Sequence, residues 1–220
     1  KLNQSYGDAI HFARGLKNAV GIDWNSSTKS LFATHHGRTI DDKFPQYYTA
    51  RQSAELPAET MYELRQGSDA GWPFVYYDHI QKKKILAPEY GGDGKIAGDK
   101  KFIDPVVAFP AHLAPNDLLF YTGNMFPKRY KNGAFVVFHS KSAELKKGYL
   151  VAFVPFVKGM PSGDWEIFAD NFSGVDLEKP AGPLQYRPMG LAQGPDGSLY
   201  VSDDLKGAIF RITYSDKTGK

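Results

Sequence analysis

Cysteine is missing from all 220 residues. No disulfide framework and no thiolate metal site can therefore form. The compartment is not fixed by this, because secreted proteins can also do without cysteine. Long apolar runs are missing too: none approaches the roughly 18 residues that a membrane-spanning helix needs. A strong charge of either sign is absent, with 27 basic against 24 acidic side chains and a net charge of +3. A balance that close does not point to nucleic acid, and the basic run at 82–84 lies near Asp78 and Glu89 and reads as a solvated turn. No secretion signal opens the chain, which starts "KLNQSYGDAIHFA" and is expected to be a mature form or a fragment. Helical periodicity over long windows is scarce.

Short apolar runs closed by turn residues are present instead, in a chain that is 42% hydrophobic and 14% aromatic. This is the pattern of an all-β fold. Three stretches read as strand, polar turn, strand: "NAVGIDWNSSTKSLFATHHG" (18–37), "LLFYTGNMFPKRYKNGAFVVFHS" (118–140) and "RPMGLAQGPDGSLYVSDDLKGAIFRITY" (187–214). The turns "NSSTKS", "PKRYKNG" and "GPDG" carry the Asn, Asp and Gly that tolerate left-handed backbone. In the second stretch "GYLVAFVPF" and "WEIFADNF" complete a four-strand unit, and in the third "GAIFRITY" adds a further strand. Repeated four-strand units predict a β-propeller, with a large antiparallel sandwich as the competing architecture. Three blades do not close a ring that usually needs about four to eight. Residues 1–220 are therefore expected to form the C-terminal half of one propeller domain, the rest being a separate piece or a partner chain.

Strand parity then sorts the loops. The first strand of a blade runs along the channel and the second runs back, so residues before first strands share one end with residues after second strands. That end collects Lys17 and Asn18, His112 and Arg187 from the first group. From the second it collects His35, His36, Gly37 and Arg38, then His139 and Ser140, then Asp203 and Asp204. Each has an ordinary reading as a surface hydrogen-bonding residue or a turn cap, and only their convergence suggests a site. Lys17 and Arg187 suit an anionic, oxygen-rich ligand, arginine by paired hydrogen bonds. "HHGRTIDD" lacks the spaced acidic ligands of an EF-hand, but a glycine turn can aim main-chain carbonyls at a hard cation.

The blocks "ARGLKNAVGIDW", "LRQGSDAGWPFVYYD", "DPVVAFPAHLAPNDLLFYTG", "GAFVVFHS" and "RPMGLAQGPDGSLYVSDDLKGAIFRITY" together resemble the glucose/sorbosone dehydrogenase family. The similarity is greatest to its sorbosone- and pyranose-dehydrogenase branch and covers roughly residues 12–214. The resemblance implies a six-bladed propeller of a secreted or periplasmic quinoprotein holding pyrroloquinoline quinone (PQQ) and Ca²⁺. It implies oxidation of a sugar with hydride transfer to the quinone and onward to an external electron acceptor. By position it places cofactor contacts on Lys17, Asn18, His139 and Arg187, and calcium on the carbonyls of Gly37 and Arg38. Lys141 competes with His139, and Met189 stands where some members carry a second arginine. The family's catalytic base is a histidine of the N-terminal half, outside this sequence, so the chain alone is not expected to turn over sugar. Two other readings stay open: a calcium-dependent lactonase-type hydrolase using Asp203 or Asp204 with Asn18, and a non-catalytic binding propeller. The roles of His35, His36 and His112 are left unassigned.

Overall fold

The computed structural model describes residues 10–40, 44 and 46–215. Asp41, Asp42 and Lys43, part of the polar loop after the first hairpin, lie outside the described residues. The strands in chain order are β1 (Ala13–Arg14), β2 (Ala19–Asn25), β3 (Ser30–His35), β4 (Glu59–Leu64), β5 (Ser68–Asp69), β6 (Val75–Asp78), β7 (Lys83–Leu86), β8 (Val107–Phe109) and β9 (Pro115–Phe120). They continue as β10 (Ala134–Ser142), β11 (Lys147–Val154), β12 (Phe156–Val157), β13 (Met160–Pro161), β14 (Glu166–Ala169), β15 (Pro188–Gln193), β16 (Leu199–Asp203) and β17 (Ile209–Ile212). One short α-helix, α1 (Ala50–Glu55), opens on a capping box between Thr49 and Gln52.

Three antiparallel sheets carry the architecture: β2-β3-β4-β8, β9-β10-β11-β14 and β15-β16-β17. The first two have the four strands expected of a blade. The third has three, matching the three strand signals legible after Arg187. Between β4 and β8 the chain inserts the hairpin β6-β7, and β5 pairs in parallel with β1.

Residue alternation explains the stacking. On β10, Ala134, Val136 and Phe138 point into one core with Phe32, Met61 and Phe109 of the first sheet. Phe135 and Val137, on the opposite face, join Leu199 and Val201 of the third sheet. The middle sheet is therefore buried on both faces, which is why "AFVVF" runs apolar without a polar break. Truncating such a buried phenylalanine to alanine typically costs about 3–5 kcal/mol.

The first strands of the three sheets lie side by side, β2 against β9 and β9 against β15. Aspartates tie them. Asp23 on β2 accepts the Phe120 N–H at 2.6 Å, and Asp117 on β9 accepts the Leu191 N–H at 2.7 Å. At the far end Tyr121 donates to the Gly197 carbonyl at 2.7 Å, joining the second sheet to the "GPDG" turn of the third. Gly197 adopts φ 85°, a conformation that side chains rarely accept. The outward faces of the first and third sheets stay partly uncovered: Ile22 and Trp24 on β2 and Ile209 on β17 are exposed.

Candidate functional site

The parity rule holds in the register. Ala19 pairs with His35 on the first sheet and Pro188 with Asp203 on the third. On the second, Phe138 pairs with Pro115, so His139 emerges at the same end as Asn18, Gly37 and Arg187. Cross-sheet contacts join these loops. His139 donates from Nδ1 to the Pro188 carbonyl at 3.0 Å, and its other ring nitrogen lies 3.4 Å from Asp204.

The first sheet builds its rim from buried polar groups. His35 accepts the Lys17 N–H on Nε2 and so donates from Nδ1 to the Thr60 hydroxyl, both at 2.9 Å. This fixes its tautomer. Burial, helped by His36, Lys17 and Lys84 nearby, pushes the His35 pKa down to about 3. The ring is therefore a neutral clamp on the Lys17 backbone. Asn18 accepts the His36 N–H on its carbonyl at 2.9 Å, and its side chain meets His36 Nδ1 at 3.2 Å.

Gly37 sits directly on the start of β4. A Cβ there would lie 2.7 Å from the Ala58 carbonyl oxygen and 3.0 Å from that of Pro57. Close approach is thus the reason for glycine at this position. The Gly37 N–H donates to Glu59 at 2.8 Å, while its carbonyl accepts the Lys17 ammonium at 3.3 Å. Burial pushes the Glu59 carboxyl up, partly offset by the N–H donors of Gly37 and Ala114. Arg38 turns its guanidinium into a bidentate pair with Glu89, so its side chain is engaged away from the backbone proposed to hold the cation.

The third sheet behaves differently. Arg187 pairs through two nitrogens with Asp204 at 2.8 and 3.1 Å, on the surface. Asp203 is buried and accepts four backbone N–H groups, from Arg187, Leu205, Lys206 and Ala208. Burial pushes its carboxyl up, but those donors prevail and hold it below the ordinary range. It is a turn anchor. His112, at φ 66°, places Nε2 2.8 Å from the Ser53 carbonyl of α1. Lys141 donates to the Leu177 carbonyl. Neither side chain joins the convergent set.

A family model described as TrAA12-like matches residues 86–215. The chain belongs to the TrAA12-like family. It is 28% identical over 92% of its length to an uncharacterized protein of Borreliella burgdorferi, covering 48% of that protein. It is 26% identical over 94% of its length to a pyrroloquinoline quinone-dependent pyranose dehydrogenase of Coprinopsis cinerea, covering 31% of it. A solved Trichoderma reesei carbohydrate-active enzyme of family AA12 superposes with a TM-score of 0.69 at 19% identity, over 91% of this chain and 53% of that one. The chain thus spans about half or less of the length of these relatives. The resemblance to the pyranose-dehydrogenase branch is borne out by the TrAA12-like match and the Coprinopsis relative.

Within this TrAA12-like chain, His36 Nε2 and Asn116 Oδ1 are buried at the rim without a well-aligned hydrogen bond, and the His36 ring lies within reach of the Asn116 side chain and the Pro115 backbone. The two groups satisfy each other only in part, and a buried polar group that lacks a good partner carries a desolvation cost. Sequence reasoning missed Asn116 and Glu59. Asn116 was within reach, since it is the second residue of β9 and follows the His112 loop that the parity rule selects. Among the described residues no three His, Asp or Glu side chains converge to hold a metal ion. Calcium accepts six to eight oxygens, so the two carbonyls of Gly37 and Arg38 would supply only a minority of its ligands. The donor set at the rim fits a polycarboxylate, with the Lys17 ammonium, the Asn18 amide and the Arg187 guanidinium at one end of the sheets.

Proposed function

We propose that this chain supplies part of the cofactor cradle of a PQQ- and Ca²⁺-dependent oxidoreductase acting on a sugar, whether aldose, pyranose or sorbosone-like. One observation carries the reading: Lys17, Asn18, Gly37, His139 and Arg187 lie at one end of three stacked sheets, with His139 bonded across to the Pro188 carbonyl. When bound, PQQ supplies a hydride acceptor and calcium a Lewis acid at its oxygens. Lys17 and Arg187 neutralise carboxylates, Asn18 adds a neutral donor, and His139 lines the wall between the second and third sheets. The carbonyls of Gly37 and Arg38 would complete the shell of a calcium ion, the Gly37 carbonyl exchanging its contact with the Lys17 ammonium for the metal. The general base belongs to the N-terminal half of a six-bladed ring, and these three sheets form its C-terminal half. The exposed Ile22, Trp24 and Ile209 faces are where further blades would pack. The protein acts outside the cytoplasm, secreted or periplasmic, and passes electrons to an external acceptor. The test is sugar oxidation by the complete protein with an artificial acceptor. Turnover that appears only after PQQ is added supports the reading, and turnover without it, or hydrolysis of a lactone instead, removes it.

A further inference from the structure

Glu59 is a buried carboxylate that none of the roles above uses. It is the first residue of β4 and 5% exposed. Its Oε2 accepts the Gly37 N–H at 2.8 Å, and its Oε1 accepts the Ala114 N–H at 3.4 Å. Those two amides belong to the rim loops of different sheets. Gly37 follows β3 of the first sheet, and Ala114 precedes β9 of the second. No ion pair among the described residues involves Glu59, so its two oxygens serve backbone donors. The Ala114 loop needs holding: His112 at φ 66° and Ala114 at φ 54° both occupy left-handed backbone, which non-glycine residues keep only where surrounding contacts impose it. The Gly37 turn is closely packed, a Cβ there falling 2.7 Å from the Ala58 carbonyl oxygen.

We propose that Glu59 is a positioning residue that locks the Gly37 and Ala114 loops into one rigid rim, and that ligand affinity at the mouth depends on this lock although Glu59 does not touch the ligand. The affinity part rests on the cofactor reading above. A carboxylate suits the task because it accepts at both oxygens. Glutamine at this position keeps one acceptor and turns an amide donor toward the other N–H. Electrostatics alone predicts the opposite outcome for an anionic ligand, since removing a buried negative charge near the mouth should tighten binding. The sign of the change therefore separates positioning from charge.

The experiment uses the complete protein as wild type, Glu59→Gln and Glu59→Ala. Amide hydrogen exchange is followed at Gly37 and Ala114, and PQQ affinity is measured by fluorescence titration in saturating calcium. In Glu59→Ala both amides should exchange about tenfold faster or more, with β10 and β11 unchanged, and PQQ should bind about tenfold more weakly. Glu59→Gln should keep one of the two amides protected and bind PQQ with intermediate affinity. Unchanged exchange at both amides overturns the lock, as does acceleration by one common factor throughout the molecule. Equal or tighter PQQ binding in the variants overturns the coupling to the ligand. A wild type that does not bind PQQ defeats the cofactor reading instead, while the exchange result still decides whether the lock exists.

Discussion

Lys17 and Arg187, the two cations that the rim offers to one ligand, stand in opposite states. Lys17 is held by its backbone on a neutral buried histidine, its ammonium rests on the Gly37 carbonyl, and it makes no ion pair among the described residues. Arg187 is already neutralised by Asp204, in a pair that is more than a third exposed on both sides. A ligand arriving at Lys17 meets an available charge over an anchored loop. A ligand arriving at Arg187 must share it with a carboxylate. Location at the rim is thus a poor measure of contribution, and the first sheet should dominate affinity even though arginine is the better carboxylate fork.

The largest effect should come from breaking the first rim at its seat. Gly37→Ala places a Cβ 2.7 Å from a backbone oxygen that has little room to move. Overpacking of this kind costs about 1–3 kcal/mol, so a loss of unfolding free energy of that size in denaturant titration and loss of calcium-dependent PQQ binding are expected. Acidity should separate the two rims next. The folded-state pKa of His35 is lowered from 6.5 to about 3, so between these values the unfolded chain takes up a proton that the folded chain refuses. Its contribution to stability is complete above pH 6.5 and is lost as pH falls toward 3. Denaturant unfolding at pH 7 and pH 4 should show a smaller acid loss in His35→Asn than in wild type. A change of opposite sign sharpens the comparison further. Asp204→Asn frees Arg187 and should tighten PQQ binding by a few-fold, the scale of an exposed ion pair worth about 0.2–1 kcal/mol. High salt should shrink that gain, since exposed pairs are screened.

Much of this was legible because strands have a period of two. The parity of first and second strands sorted Asn18, Gly37, His139 and Arg187 to one end, while the burial of "AFVVF" on both faces emerged only with the stacked sheets. Turn chemistry located the hairpins, with Gly197 where the "GPDG" signal put it. Contacts between distant segments were not legible. In "PAETMYEL" Glu59 looks like any strand-edge carboxylate, and only the fold brings it to Gly37, 22 residues away, and Ala114, 55 away. The cross-sheet bonds of Asp23 and Asp117 are hidden for the same reason. Asp204 reads as a turn residue, and its capture of Arg187 follows from the pairing of β15 with β16, which sequence alone leaves implicit. The spacing of the units implied a long insertion in the first of them, and the structure places it between β4 and β8; its strands escaped because they carry mixed lysine and tyrosine rather than an alternating pattern.

The most direct measurement is a PQQ titration of the complete protein in saturating calcium, comparing wild type, Lys17→Met and Arg187→Ala. Saturable binding by the wild type is expected, with Lys17→Met weaker by about tenfold or more, the scale of one charge-assisted contact. Arg187→Ala should be weaker by only about two- to fivefold, because the Asp204 pair already spends most of that charge. Equal dissociation constants for all three, or a larger loss at Arg187 than at Lys17, would contradict the account.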